Sequence, residues 1–371
     1  MLMPNKSIAL LVRDPLKRKR LAFESGYWRF SEYLTSERLL KDGYEVKSLD
    51  ENSMPFLWNI IKIISRREWM AEYLLSLIQT AKLACVKSPP VAIAWQGPGF
   101  VFAAVRKLFG RTNETKLIII MYYSYPYRTI MHSIIRFVLR NILSDAATVV
   151  CVTSIQEKEF AESFRLSSKQ LRRLIRGVDV NFFSPDPDPH KRIKSPFVFC
   201  PGEFDRDDKL LLAACRDLRL NLVRVTKEPA YAIEISRLAE KMGVSSRVKI
   251  LSKVEAETLR SLYRDSSFVA LPLFNDTHPA GLTSLLEAMS CGKAVIVTKG
   301  LTTYDYTEDL IDAVHCQMHN LKDLKMKMAL LRDNKELRDT IGINARNAVV
   351  KKFRIENDVG GLMNIIKSVT A

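Results

Sequence analysis

Short runs of consecutive apolar residues alternate along this chain with longer stretches whose apolar positions recur every three to four residues. The first pattern suits a strand buried on both faces, the second an amphipathic helix. In the first half, residues 8–12, 44–49, 91–95, 117–121 and 147–153 are predicted strands. Helices are predicted over 30–41, 58–87 and 130–143, with another after Gln96-Gly97-Pro98-Gly99. A strand, a helix ended by Gly43 and a second strand form a βαβ unit, which joins parallel strands. Residues 184–196 hold four prolines and cannot be regular structure. The alternation then resumes, with strands at 197–200, 221–225, 248–251, 268–271 and 294–297. Helices are predicted at 209–216, 230–242, 256–264, 321–331 and 335–350, followed by a helical tail at 355–369. The fold class is therefore α/β, with two Rossmann-like, doubly wound parallel-sheet domains. Residues 1–185 are assigned to the first, 186–196 to a Pro-rich linker and 197–350 to the second, leaving 351–371 as a C-terminal helix.

At 371 residues the chain has room for two cores. No apolar run is long enough for a transmembrane helix, and the first apolar run is too short for a signal peptide. Six cysteines without CxxC spacing fit reduced thiols in a cytoplasmic protein. The five histidines form no ligand-spaced cluster, so neither a metal nor another cofactor is expected. The net charge of +16 is concentrated in residues 1–185, where 28 Lys and Arg face 16 Asp and Glu. That excess fits either an anionic partner or a generally basic protein. No nucleic-acid motif accompanies it, so no nucleic-acid partner is expected.

The most informative stretch is 275–298, NDTHPAGLTSLLEAMSCGKAVIVT. A polar, Gly-containing turn enters a helix at Thr283 and Ser284, Gly292 ends the helix, and a buried strand follows. Backbone N–H groups at a helix start form an anion site. A single acid one turn inside, Glu287, can hold a ribose diol. The bland alternative makes this an ordinary core helix with Glu287 on its solvated face.

The segment resembles the donor-binding signature of retaining glycosyltransferases with the two-domain GT-B fold, family 4. GVDVNFFSP, PGEFDRDDKLLLAA, RVKILSKVEAETLRSLYRDSSFVALPL and ELRDTIGINARNAV support the resemblance in the family's order. It implies two domains facing a central cleft, with the C-terminal helix crossing back to the N-terminal, acceptor-binding domain. It also implies a metal-independent enzyme in which Arg206 and Lys209 neutralise the leaving diphosphate, Lys209 being equally readable as a solvated helix lysine. Gly202, Ala280, Gly281, Leu282 and Thr283 would line the phosphates and sugar, Val254 the base, and Glu287 the ribose. The family's first paired acid falls on Pro279, which leaves Asp276 or His278 to meet the sugar. Acceptor-side candidates are Gly26, Gln96, Tyr122 and Tyr123, the tyrosines serving either as a sugar-stacking platform or as a packing edge.

The resemblance implies transfer of a hexose from a UDP- or GDP-sugar to a glycan or lipid-linked acceptor. The alternative is a non-catalytic GT-B protein that binds nucleotide sugar or a partner transferase. An anionic membrane is a further candidate partner, suggested by basic residues 17–20, by Lys62, Arg66 and Arg67 beside Trp58 and Trp69, and by Arg136 and Arg140. The corresponding location is cytoplasmic, peripheral on the inner face of the membrane.

Overall fold

The structure is a computed structural model that describes residues 7–11, 31–48, 68–85, 89–110, 115–122, 130–186, 195–203, 205–276 and 278–370. Two compact units emerge, one of residues 1–175 with 358–371 and the other of residues 176–357.

The N-terminal unit is a six-stranded parallel sheet of β1 (Ser7–Leu11), β2 (Glu45–Ser48), β3 (Val91–Trp95), β4 (Lys116–Ile120), β5 (Thr148–Cys151) and β6 (Leu171–Arg173), in the order β2-β1-β3-β4-β5-β6. Its helices are α1 (Ser31–Lys41), α2 (Glu68–Cys85), α3 (Gln96–Leu108), α4 (Ile130–Leu143) and α5 (Ser154–Phe164). Alternate residues feed opposite faces: Ala9 and Leu11 join a core with Phe102 and Phe160, whereas Ile8 and Leu10 join one with Leu362 and Ile366. This two-sided burial is why the strands read as unbroken apolar runs.

The second unit repeats the plan with β7 (Val198–Pro201), β8 (Leu222–Thr226), β9 (Val248–Ser252), β10 (Phe268–Leu271), β11 (Val295–Thr298) and β12 (Val314–Cys316), in the order β12-β11-β10-β7-β8-β9. Its helices are α6 (Asp208–Leu218), α7 (Pro229–Lys241), α8 (Ala256–Asp265), α9 (Leu282–Ser290), α10 (Leu321–Asp333) and α11 (Lys335–Lys352). The last helix, α12 (Ile355–Thr370), belongs to the N-terminal unit from Asp358 onward.

Three features differ from the sequence reading. The division falls at Ile175, not after residue 185, because residues 176–186 pack on the second unit. Arg346 Nη1 donates to the carbonyls of Val180 and Phe183, and Arg264 binds Ser184 through both its carbonyl and its hydroxyl at 2.7 Å. Second, Gln96-Gly97-Pro98-Gly99 does not precede the helix but forms the first turn of α3. Proline is tolerated there because its missing N–H would have no intrahelical partner. Gly99 is needed for close approach, since a Cβ would sit 3.1 Å from both Ala94 and Ile119 side-chain atoms. Third, α5, β6 and β12 were not anticipated: α5 is polar and the two strands have three residues each. None of the six cysteines, five buried and Cys85 exposed, is in a disulfide among the described residues.

Gly342 of α11 meets the end of α9, where a Cβ would lie 2.3 Å from the carbonyl oxygen of Gly292. Gly342→Ala is expected to destabilise the protein by about 1–3 kcal/mol through this clash. Gly360→Ala, in open space on α12, should be neutral or stabilising by up to ~1 kcal/mol. Thermal and urea unfolding of both variants check the pair; equal stability would show that α9 and α11 part without cost.

Candidate active site

In the second sheet the chain leaves β7 toward β8 and β9, then returns to build β10, β11 and β12 on β7's other side. The carboxyl ends of β7 and β10 are therefore a topological switch point, where open α/β sheets bind ligands. The two loops meeting there are tied together. Asp207 N donates to Pro272 O and Phe274 N to Asp205 O, both at 2.9 Å.

Arg206 occupies the centre of this region. Its Nε donates to Pro201 O at 3.1 Å, and its Nη2 reaches Ser284 Oγ at 3.4 Å. The guanidinium lies against Gly202 and Gly281, where an added Cβ would stand 2.3 Å and 3.2 Å from it. Both glycines have positive φ, +116° and +76°, so their conformation and the space beside them exclude other residues. Burial pulls the Arg206 pKa down, partly offset by the nearby Cys200 thiol. Gly281 is also the N-cap of α9 and provides no side-chain cap. The first N–H groups of α9 thus have no intrahelical partner and carry the positive end of the helix dipole beside a buried cation.

Ser284 leads to Glu287. Tyr263 Oη donates to Glu287 Oε2 at 2.7 Å and approaches the Ser284 carbonyl at 3.3 Å. Tyr263 is itself fixed edge-on by Phe183 and Phe199, at centroid distances of 5.9 and 5.0 Å. Glu287 lies on the buried side of α9, so the solvated-face alternative is excluded. Burial pushes its pKa up to about 7, against lowering by the Tyr263 hydrogen bond and the charge of Lys227.

The turn before α9 separates the two sugar-contact candidates. Asp276 Oδ1 accepts the Leu301 N–H at 2.8 Å, and its carboxylate fills the space beside Gly300. His278 Nε2 instead lies 3.2 Å from Asp205 Oδ2, while Asn275 Nδ2 donates to Asp205 Oδ1 at 2.6 Å. Burial lowers the His278 pKa, with Asp205 opposing and Arg206 adding to the shift. Ala280 accepts from Thr302 Oγ1 at 2.5 Å, Leu282 is buried and Thr283 is exposed. Lys209 projects from the first turn of α6 into solvent. Val254 is half-buried beyond β9, two strands from β7.

A second buried cation was missed by the sequence reading. Arg224, mid-strand in β8 and 0% exposed, pairs with Asp208 through Nε at 2.7 Å. Its Nη1 donates to Gly202 O and Val225 O at 2.6 Å, and its Nη2 to Glu203 O at 3.2 Å. Tyr231 Oη donates to the other Asp208 oxygen at 2.6 Å. Glu203 turns its carboxylate to Thr226 Oγ1 and the Lys227 N–H. The available signal was an arginine inside the otherwise apolar LVRVT strand. Among the described residues, no group of three or more His, Cys, Asp or Glu could hold a metal ion.

In the N-terminal unit, Gln96 follows β3 and Tyr122 follows β4. Gln96 Oε1 accepts the Tyr122 N–H at 3.4 Å, and Tyr122 O accepts from Gln156 Nε2 at 2.6 Å. Trp95 Nε1 reaches Tyr122 Oη at 3.4 Å. Gln156, fully buried at the start of α5, was another unanticipated member of this cluster. Gly26 and Tyr123 lie outside the described residues.

Two doubly wound units, one with a helix N-terminus and a buried arginine at its switch point, define a GT-B protein of the α/β class. Sucrose-phosphate synthase from Thermosynechococcus elongatus shares this fold at a TM-score of 0.74, with 15% identity over 98% of this chain and 99% of that one. The Anabaena protein HepE, solved with UDP and glucose, gives a TM-score of 0.69 at 14% identity, over 98% of this chain and all of its own. Residues 191–348, within the C-terminal unit, match the family model for glycosyl transferases group 1. A GDP-mannose-dependent alpha-(1-6)-phosphatidylinositol monomannoside mannosyltransferase from Mycolicibacterium smegmatis is 28% identical over 185 residues, covering 45% of this chain and 48% of the relative. The chain thus spans about half the length of that curated relative.

The raised Glu287 pKa has a signed consequence. Between pH 4.5 and about 7 the folded protein holds a proton that the unfolded chain has lost. Stability from this group is fully present below pH 4.5 and falls as pH rises through about 7. The loss is on the order of 3 kcal/mol. Denaturant titrations of wild type and Glu287→Gln from pH 4 to 8 should diverge in that direction; parallel profiles would place the carboxylate in contact with water.

Proposed function

We propose that the chain is a retaining glycosyltransferase that moves a hexose from a UDP- or GDP-sugar to a hydroxyl of a glycan or lipid-linked acceptor. The observation that carries this reading is Arg206, buried beneath two left-handed glycines beside the uncapped start of α9. A diphosphate is the ligand class that such a cation and helix terminus complement. HepE supports the choice, being a protein of the same fold solved with UDP-glucose.

In this reading the amides of residues 281–284 hold the distal phosphate, Arg206 meets the charge that grows on the diphosphate, and Lys209 adds a solvent-side cation. No metal ion is invoked. Glu287 and Val254 receive the ribose and base, and His278 meets the sugar. The sugar C1–O bond to the diphosphate breaks while the acceptor oxygen bonds C1 on the same face. The acceptor proton passes to the departing diphosphate, so configuration is retained. Gln96 and Tyr122 mark the acceptor side. A second reading, a non-catalytic protein that binds nucleotide sugar, is favoured by one observation: buried Pro279 stands where the resemblance implies an acid.

Thermal unfolding with UDP, GDP, ADP and TDP tests the site. The cognate nucleotide at ~100 times its dissociation constant should stabilise the protein by about 2.7 kcal/mol. Arg206→Met should weaken that nucleotide by roughly tenfold or more, the worth of a charge-assisted hydrogen bond. If no nucleotide stabilises the wild type, the donor site is wrong. Product analysis with the matching nucleotide sugar decides the rest: an inverted product ends the retaining mechanism, and binding without turnover selects the second reading.

A further inference from the structure

The N-terminal unit presents an apolar face that its own core does not use. On α4, Leu139 and Leu143 are buried, whereas Ile134, Phe137 and Val138 stand exposed along one side at i, i+3, i+4 spacing. Phe137 keeps 67% of its surface in solvent and Ile134 56%. The adjoining end of α3 adds Leu108, 83% exposed, and Phe109, 64% exposed. The two helix ends are joined, since Lys107 Nζ donates to Asn141 O at 2.7 Å and pairs with Asp145 at 2.9 Å. Isolated exposed apolar residues need no explanation; five on two linked helices, three of them along one side of α4, exceed that background.

The charge on the two helices that carry these residues has one sign. Neither α3 nor α4 contains an acidic residue. Arg136 and Arg140 flank the stripe, half-buried, and the nearest acid past α4, Asp145, is neutralised by Lys107. A two-fold contact with a second copy would set the arginines of one patch against those of the other as water is expelled. An anionic lipid surface supplies the opposite charge, and its acyl region accepts Phe137, Ile134 and Leu108.

We propose that this face of α3 and α4 docks the protein onto an anionic lipid surface. The inference goes beyond the donor-site reading and does not rest on it. Among the described residues no helix is long and apolar enough to cross a membrane, so the contact is peripheral. Of the other basic stretches considered for this role, residues 17–20, Trp58, Lys62, Arg66 and Arg67, with the Trp69 side chain, lie outside the described residues.

The test is co-sedimentation of the full chain with phosphatidylglycerol–phosphatidylcholine vesicles and with pure phosphatidylcholine vesicles, at low and high salt. The wild type should prefer the anionic vesicles, with each basic residue near the surface worth roughly fivefold. Ile134→Ser with Phe137→Ser, and separately Leu108→Ser with Phe109→Ser, should each weaken vesicle binding about tenfold or more. Unfolding temperature and nucleotide-induced stabilisation should stay at wild-type values. Absence of anionic vesicle binding, or wild-type binding by both double variants, overturns the proposal. So does light scattering that finds a dimer which the serine variants dissolve while vesicle binding is unchanged. Failure here leaves the nucleotide titrations standing, and their failure leaves this result standing.

Discussion

Two guanidinium groups, Arg206 from the loop after β7 and Arg224 from within β8, are buried against the same Gly202, and the C-terminal unit depends on accommodating both. Taking an arginine out of water costs several kcal/mol unless its donors find partners, and two close together also repel. Arg224 is accommodated by Asp208 and by the carbonyls of Gly202, Glu203 and Val225. Arg206 has the Pro201 carbonyl and Ser284 Oγ but, among the described residues, no carboxylate in an ion pair with it. The first cation is therefore neutralised inside the fold. In the proposed reading, the second meets an anionic ligand at the switch point.

This arrangement also explains the glycines. Gly202 and Gly281 come from loops after different strands, yet both lie against the Arg206 guanidinium. A side chain at either position would push the arginine out of its place and strain the backbone. The hydrogen bonds between the two loops hold the approach, and the aromatic wedge of Phe183, Tyr263 and Phe199 holds Glu287 behind it. Residues 176–186 pack on this unit, and Phe183, one of them, braces Tyr263, which holds Glu287. A segment that reads as an approach to a linker is thus part of the site's scaffold.

The N-terminal unit uses the same sheet plan for different ends. Its strands terminate in a neutral polar cluster of Gln96, Tyr122 and Gln156. Arg136 and Arg140 instead accompany the exposed apolar stripe of α4, away from the sheet core that Leu139 and Leu143 enter.

The sequence by itself determined the two α/β units, the strand positions within a residue or two and the signature around α9. It could do so because burial on both faces and the 3.6-residue period are local patterns, written in consecutive residues. It missed α5, β6 and β12, which are too polar or too short to carry such a pattern. It started α3 after Gly99, because two glycines and a proline in a first helical turn carry no helical period of their own. Gly202, Arg206, Gly281 and Glu287 were legible as candidates. That Arg206 lies between those glycines, that Asp276 is spent on Leu301 while His278 faces Asp205, and that Arg224 meets Asp208 were not. Those pairings join loops up to about eighty positions apart, and their partners are set by strand order. Only the tertiary structure decides which loops arrive at the same end of the sheet.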